Sequence, residues 1–456
     1  MATASRSPGG AVGIGIAGLG SKIGSEENDL MNKKVMAVAV AGAFAAPMAF
    51  AQTSNVQIYG RANVGIDQYQ AKGAQDSVQD RQSRLRVFDG SSRVGFRGTE
   101  DLGGGLKAIF QIETGVNMDT GNEVGQNSAT NSSAGTWGSR ETFAGLDSNF
   151  GRLIFGRMTV YRGSGTVVQT GANYVNTDLP WSDGLSTGRI QGAFQTNPTR
   201  LSNVVHYTTP TFAGINASLY YSPTPQEAVQ LSSGTTTATD TDGRIWGGTL
   251  RATYGPFYGQ FDYVDGTGNS PQGPPVAGAF TDKVKARANK ISLGWQYMPG
   301  ANLGVVVARL TNNNGNGGVG GQAAVAGTGI TRQVVTIGDG VNQIAWMVNW
   351  EHTFGNIQVL AQYGQLDKLK GCDDVTSPGG CDNSKAQGWL VGARYLFSKR
   401  TWVYFTYNAI ENESNQFVDY QGGNISSVAL PPAQGNAGTP YGADPRIFAL
   451  GILHNF

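Results

Sequence analysis

From Gln52 onward the chain alternates between apolar and polar positions. Val56, Ile58, Ala62, Val64 and Ile66 interleave with Gln57, Arg61, Asn63 and Asp67. Ile291, Leu293, Trp295 and Tyr297 interleave with Ser292, Gly294 and Gln296. Ile344, Trp346, Val348 and Trp350 interleave with Ala345, Met347, Asn349 and Glu351, and Ile357, Val359, Ala361 and Tyr363 with Gln358, Leu360 and Gln362. A period of two puts each set on its own face of a strand. Sixteen such strands are predicted, near 56–69, 91–100, 105–117, 140–148, 151–158, 202–209, 214–222, 243–254, 257–265, 287–298, 301–310, 342–353, 356–366, 385–397, 401–412 and 445–456. No stretch holds the roughly 18 consecutive apolar residues of a membrane-spanning helix.

The connections alternate as well. Short links fall at Asp101–Gly104, Asn149–Phe150, Pro210–Ala213, Gly255–Pro256, Pro299–Gly300, Phe354–Gly355 and Phe397–Arg400. Long links fall near 70–90, 118–139, 159–201, 223–242, 266–286, 311–341, 367–384 and 413–444. Seven tight turns and eight long loops put every tight turn at one end of an up-and-down sheet. A soluble sandwich has no reason for that asymmetry. A membrane barrel has one, because it combines an even strand number with short periplasmic turns and long outer loops. The predicted fold is therefore all-β, a 16-stranded antiparallel transmembrane β-barrel. Its apolar faces carry Trp and Tyr near strand ends, as interface girdles do. Its polar faces hold too many Gln, Asn, Ser, Arg and Glu to bury dry, and sixteen strands leave a lumen wide enough for water.

One connection stands out. Residues 159–201 show neither strand nor helix periodicity, and a structureless insertion of that length in a compact domain points to function or disorder. It contains TDLPWSDG, Thr177 to Gly184, with Asp178 and Asp183 flanking Pro180–Trp181. We expect this loop to fold into the barrel and narrow it.

Composition agrees with strands and tight turns: Gly is 67 of 456 residues, charged residues are 14% and aromatics 10%. Without residues 1–51 the chain carries 29 basic and 29 acidic residues, which argues against a nucleic-acid partner. The two cysteines, Cys372 and Cys381, lie in a polar segment, and one disulfide closing a short loop is the simplest reading in an oxidising compartment. With three His in the chain and none beside these cysteines, metal binding lacks ligands.

Near the start, Met31-Asn-Lys-Lys opens a secretion signal, with an apolar run Val35–Pro47 and an A-x-A site at Ala49–Ala51. The expected organisation is residues 1–30 as an upstream extension, 31–51 as a cleaved signal peptide and 52–456 as the barrel. The extension is either a gene-start artefact ahead of Met31 or an added tail.

The run Arg93 to Gly115 (RVGFRGTEDLGGGLKAIFQIETG) closely resembles the first hairpin of the general porins of Gram-negative outer membranes, beta-proteobacterial type. The Met31 leader, NFGRLIFGR (Asn149–Arg157), HYTTPTFAGINA (His206–Ala217) and the final Phe456 fit the same family in order and spacing. The resemblance implies a homotrimer of sixteen-stranded barrels in outer-membrane lipid and lipopolysaccharide. It implies a third outer loop folded into each pore opposite a basic wall. It also implies that Phe456 is read by the barrel assembly machinery.

Carried over by position, the basic wall is Arg61, Arg93, Arg140 and Arg200, and the acidic loop side is Asp178 and Asp183. Parity alone places Arg61, Arg93 and Arg200 in the lumen, because each opposes an apolar set on its strand. For Arg140 the residues leave both faces open: Phe143 outward puts it in the lumen, Leu146 outward does not. Lys107 and Glu113 are further luminal candidates. His206, His352 and His454 lie far apart, and no cofactor motif is visible. The expected function is a channel for passive diffusion of small hydrophilic solutes and ions. The alternatives are a substrate-specific channel of the same fold, for a sugar or carboxylate, and an outer-membrane enzyme or adhesin.

Overall fold

The computed structural model describes residues 55–75, 77–90, 92–119, 137–160, 200–223, 244–268, 284–313, 341–371, 381–416 and 442–456. They form β1 (Asn55–Lys72), β2 (Arg81–Asp89), β3 (Arg93–Gly103), β4 (Leu106–Gly115), β5 (Thr142–Ser148), β6 (Gly151–Thr159), β7 (Arg200–Thr208), β8 (Ile215–Ser222) and β9 (Arg244–Tyr254). β10 (Phe257–Gly268), β11 (Val284–Met298), β12 (Ala301–Asn313), β13 (Val341–Phe354), β14 (Ile357–Leu366), β15 (Ala386–Leu396), β16 (Thr401–Asn412) and β17 (Asp444–Asn455) follow. From β3 onward each strand pairs antiparallel with its successor, and β17 returns to β1 from Arg61↔Asn455 to Lys72↔Asp444. The sheet is a closed barrel. β2 and β3 both pair with β1 and make one interrupted stave, so the barrel has sixteen staves.

That stave corrects the first long connection expected at 70–90. β1 runs on to Lys72, a short 3-10 turn at Ser77–Gln79 reverses the chain, and β2 descends from Arg81. Within β2, Arg84 and Arg86 alternate with Leu85 and Val87, which are 71% and 59% exposed on the outer face. Asn63 breaks the stave: its side-chain Nδ2 donates to the Gly90 carbonyl at 2.9 Å and its backbone N–H to Ser92 Oγ at 2.9 Å. The amide fills the space a Cβ on residue 90 would need.

All seven tight turns lie where the alternation put them. Gly103, Gly104 and Gly105 take φ of +85°, +61° and +82°, a region closed to most L residues, which explains three consecutive glycines there. The C-terminus closes the same end: Phe456 N–H donates to Gly60 O at 3.1 Å and Gly60 N–H to Phe456 O at 3.0 Å. The Phe456 ring lies over Gly60, where a Cβ would collide with it.

The outer face is apolar between two aromatic belts. At the turn end Trp295 stands 6.3 Å from Phe257 and 5.8 Å from Tyr297, and His352 stacks on Phe354 at 4.0 Å. Trp350 Nε1 donates to Tyr297 Oη at 2.8 Å. At the loop end the pairs are Trp246–Tyr263, Trp346–Tyr363 and Trp389–Tyr407, at 5.2, 5.5 and 5.1 Å. From Trp346 to Phe354 the strand rises roughly 27 Å, or about 20 Å along a barrel axis tilted ~40° from it, close to the ~25 Å apolar band of outer-membrane barrels. Among the described residues no helix is long and apolar enough to cross a membrane, a statement that does not concern barrels.

The inner face is less uniformly polar than the alternation suggests. Leu360, Leu390, Ile447 and Leu453 are buried on the inner side and cluster with Tyr69 and Tyr404. A second cluster joins Ile154, Met158, Val204, Tyr220 and Ile245. Alternation demands an apolar outer set. It leaves the inner set free wherever that set packs against itself. Residues 161–199, including the expected inward loop, lie outside the described residues.

Candidate functional site

Three side-by-side strands build the site. Register sets Tyr59, Gly95 and Glu113 in one row across β1, β3 and β4, and Arg61, Arg93 and Gly115 in the next. Gly95 has no side chain, so the Tyr59 ring lies across it and its hydroxyl donates to Glu113 Oε2 at 3.1 Å, two strands away. Glu113 accepts on its other oxygen from Arg140 Nε at 2.6 Å, and Arg93 Nε stands 3.8 Å from Oε2. The Arg140 backbone N–H donates to the Glu113 carbonyl at 3.0 Å, which brings the guanidinium to the carboxylate. Arg61 Nε donates to Asn455 Oδ1 at 3.3 Å across the barrel seam.

The charge balance follows. Arg61 and Arg93 are direct cross-strand partners. Two like charges ~6 Å apart repel by about 3 kcal/mol at an effective dielectric of ~20, and by under ~1 kcal/mol in bulk water. Glu113 offsets part of that repulsion and Tyr59 fixes its position. One carboxylate therefore holds two guanidinium groups, while Arg61 sits beside them on a neutral amide.

Of the four expected arginines, Arg61, Arg93 and Arg140 lie together. Arg61 and Arg93 occupy the luminal parity, opposite Ile58, which is 66% exposed outward. Arg140 precedes β5 and escapes its alternation: Leu146 faces outward and Phe143 inward, the combination that parity would have read against it, yet its ion pair brings it to Glu113. For Arg200 the backbone pairs with Thr159, while Leu201 pairs with the luminal Met158. Asn203, at φ +57°, marks a bulge that shifts the register, so the alternation counted back from Val205 does not extend to residue 200. The Arg200 side chain, Asp178, Asp183 and Cys372 lie outside the described residues. Lys107 shares the inner face with Glu113 but sits six positions, roughly 20 Å, toward the turn end, between Asp101 and Asp147 in register.

Sequence reading missed four groups on this side. Arg86 grips Asp67 bidentately, Nε–Oδ1 and Nη2–Oδ2 both at 2.8 Å, with Arg84 beside it. The signal was present as Arg84-Leu85-Arg86-Val87 but lay in a segment read as loop. Arg157 donates to the Ser139 carbonyl at 3.0 Å and to Ser202 Oγ at 2.8 Å. Glu141 accepts from the Thr159 N–H at 3.1 Å. Arg157 and Glu141 tie both roots of the 160–199 connection to the segment before β5, a contact no local pattern announces.

Half a circumference away, β9–β11 carry a second charged cluster. Lys290 Nζ lies 3.2 Å from Asp262 Oδ2, and both side chains are buried. Asp262 also accepts from Thr249 Oγ1 at 2.7 Å and Gln260 Nε2 at 2.6 Å. Arg251 Nε donates to Gln260 Oε1 at 3.0 Å.

Among the described residues no group of three or more His, Cys, Asp or Glu is placed to hold a metal. His352 and His454 belong to the turn-end belt, and His206 stacks on Tyr220. The arrangement brings Arg61, Arg93 and Arg140 together around one carboxylate beside β1, β3 and β4.

The profile of the Gram-negative porin family matches residues 37–415. The chain is 29% identical over 401 residues to an outer membrane porin protein of Bordetella pertussis, covering 82% of this chain and 93% of that one. It is 28% identical to outer membrane porin protein 32 of Delftia acidovorans, covering 80% and 100%. Among solved structures, an anion-selective porin from Comamonas acidovorans shares the fold at a TM-score of 0.59 and 22% identity, covering 88% of this chain and all of that one.

Proposed function

The chain belongs to the Gram-negative porin family and is an outer-membrane channel, and from that premise we propose how it selects what passes. The proposed constriction is the basic wall Arg61, Arg93, Arg140 and Arg200 set against Asp178 and Asp183 on the 159–201 loop. Small hydrophilic solutes and ions cross it by passive diffusion, oriented by the transverse field; rings of side-chain charge are the usual source of selectivity in such pores. The observation that carries this reading is the convergence of Arg93 and Arg140 on the single carboxylate of Glu113, with Arg61 alongside. Guanidinium groups stay charged at any working pH, so the wall keeps its sign.

The remaining parts of the proposal follow from family and chemistry. The barrel works as a homotrimer in lipid and lipopolysaccharide, inserted through recognition of Phe456 after residues 31–51 are cleaved. It is a channel and not a catalyst. Cys372 and Cys381 form a bridge in an outer loop, which is supported by the absence of a free thiol at Cys381. Reducing it is expected to leave single-channel conductance unchanged, whereas trimer loss on reduction contradicts an outer-loop position.

Planar-bilayer recording in a salt gradient tests the wall. Removing one unit charge ~5 Å from a passing ion changes its energy by about 0.8 kcal/mol in water, roughly fourfold in permeability ratio. Arg93→Gln with Arg140→Gln is expected to shift selectivity toward cations by about that factor or more. An unchanged reversal potential removes these arginines from the constriction.

A further inference from the structure

We propose that the outer wall of β9–β12 holds a phosphorylated lipid headgroup at the loop end, gripped by Arg287 and Arg309 with Arg244 beside them. The proposal rests on the outer-membrane reading above and concerns the outside of the barrel, not its lumen. On β9, β11 and β12 the outward set is marked by Trp246, Ile291 and Val307, which are 45%, 51% and 44% exposed, while their inward neighbours Ile245, Lys290 and Val306 are buried. Arg244, Arg287 and Arg309 share the outward parity and are themselves exposed. All three therefore stand on the lipid-facing side.

Their height along the barrel matches a headgroup. On β9 Arg244 stands one outward position beyond Trp246, toward the loops. On β12 Arg309 stands one beyond Val307, the register partner of Trp346. Arg287 pairs in register with Asp265, itself the partner of Trp246. The arginines thus follow the loop-end aromatic belt around the barrel, at the level where headgroups replace acyl chains. Below them Phe261, Ile291 and Val307 form one outward register row, an exposed apolar floor. A lipid lying there puts its chains on that floor and its phosphate among the arginines.

The charge there is uneven in the way an anion requires. Arg309 lies opposite Asn289, so Arg287 and Arg309 are diagonal neighbours on adjacent strands, about 7–8 Å apart. Asp265 is the acid among them: its Oδ2 accepts from Arg287 Nε at 2.5 Å and from the Tyr263 hydroxyl at 3.3 Å. Neither Arg244 nor Arg309 pairs with a carboxylate among the described residues, so three arginines against one acid leave two net positive charges. Guanidinium forks match phosphate oxygens bidentately. The same positions on β14, β15 and β16, one beyond Tyr363, Trp389 and Tyr407, are Gln365, Gln387 and Ala409. Next to them comes an acid, Glu411, which accepts from Gln387 at 2.7 Å. An aromatic belt alone does not call for arginine, and only the β9–β12 side of this contrast suits an anion.

Native mass spectrometry of the purified full-length protein in neutral detergent is the test, with dioleoyl phosphatidic acid and dioleoyl phosphatidylcholine as probes. The unaltered protein is expected to retain phosphatidic acid at a concentration about tenfold or more below phosphatidylcholine, as expected for one charged hydrogen bond. Arg309→Gln breaks no ion pair among the described residues. It should raise the phosphatidic acid concentration needed by about tenfold, and leave phosphatidylcholine retention and single-channel conductance at the parent's values. Arg446→Gln removes another exposed outward arginine, one position beyond Phe448 on β17, and should change neither lipid. Equal retention of the two lipids, or an equal loss in both variants, overturns the site. Displacement of the lipid by an equimolar amount of inorganic phosphate also overturns it, because free phosphate has no chains for the apolar floor to hold. Lipid retention is read without current and conductance without lipid titration, so this site and the channel reading fail separately.

Discussion

The two luminal walls that face each other across the barrel use charge in opposite ways. On β9–β11, Lys290 meets Asp262, and the acid is further held by Thr249 and Gln260. On β1–β4, one Glu113 serves Arg93 and Arg140, and Arg61 leans on a neutral amide. Both walls are polar and charged. On the first the Lys290–Asp262 pair is matched and buried; on the second two guanidinium groups converge on a single carboxylate. The proposed selectivity rests on the net charge of a wall, and stability on how well each buried charge is matched; counting charged residues confuses the two.

The matched pair should respond to breakage with the largest effect. Removing one partner of a buried ion pair typically costs about 3–5 kcal/mol, because the other charge is left without compensation. Asp262→Asn is therefore expected to lower the heat stability of the barrel markedly, read as the temperature at which folded protein loses its fast electrophoretic migration. Adding Lys290→Met should restore most of it, since an apolar replacement of the whole pair is often neutral. A single variant as stable as the parent contradicts a buried, matched pair.

These differences between walls were only partly legible beforehand. Alternation located the faces: Ile58, Ile66, Leu293 and Val305 point outward as their period requires. It could not report pairing. The Tyr59–Gly95–Glu113 row spans three strands and exists only once their register is set, which local sequence does not encode. Arg140 reaches the site through an ion pair from beyond its strand, and Arg200 loses its parity to the bulge at Asn203. Arg84 and Arg86 alternated visibly, but the polar run Gln75–Asp80 beside them drew the whole segment into a loop. Parity fails where strands bulge, break or end, and the luminal chemistry of this barrel gathers at just such places.

A smaller effect is expected on the other wall when its one acid is removed. Glu113→Gln raises the net luminal charge by one while keeping a side chain that still accepts from Arg140 and Tyr59. By the same Coulomb estimate, about fourfold per unit charge at ~5 Å in water, selectivity should move toward anions. The shift should shrink as salt rises from ~0.01 to ~1 M, because the screening length falls from ~30 to ~3 Å. A move toward cations means that Glu113 chiefly positions Arg93 and Arg140, and that releasing them outweighs the lost negative charge.

The smallest expected effect is the most discriminating. The double variant Asp262→Asn, Lys290→Met removes two charges from the lumen-facing side of β10 and β11, as many as Arg93→Gln with Arg140→Gln removes from the other wall. If net charge is what the ion senses, the first double variant leaves the reversal potential within error of the parent and the second does not. The two double variants lose the same number of charges, but the first leaves the net luminal charge unchanged and the second lowers it by two. A reversal potential that moves equally in both would mean that the Lys290–Asp262 pair projects a field into the pore despite its burial, and the division of labour between the walls would fall.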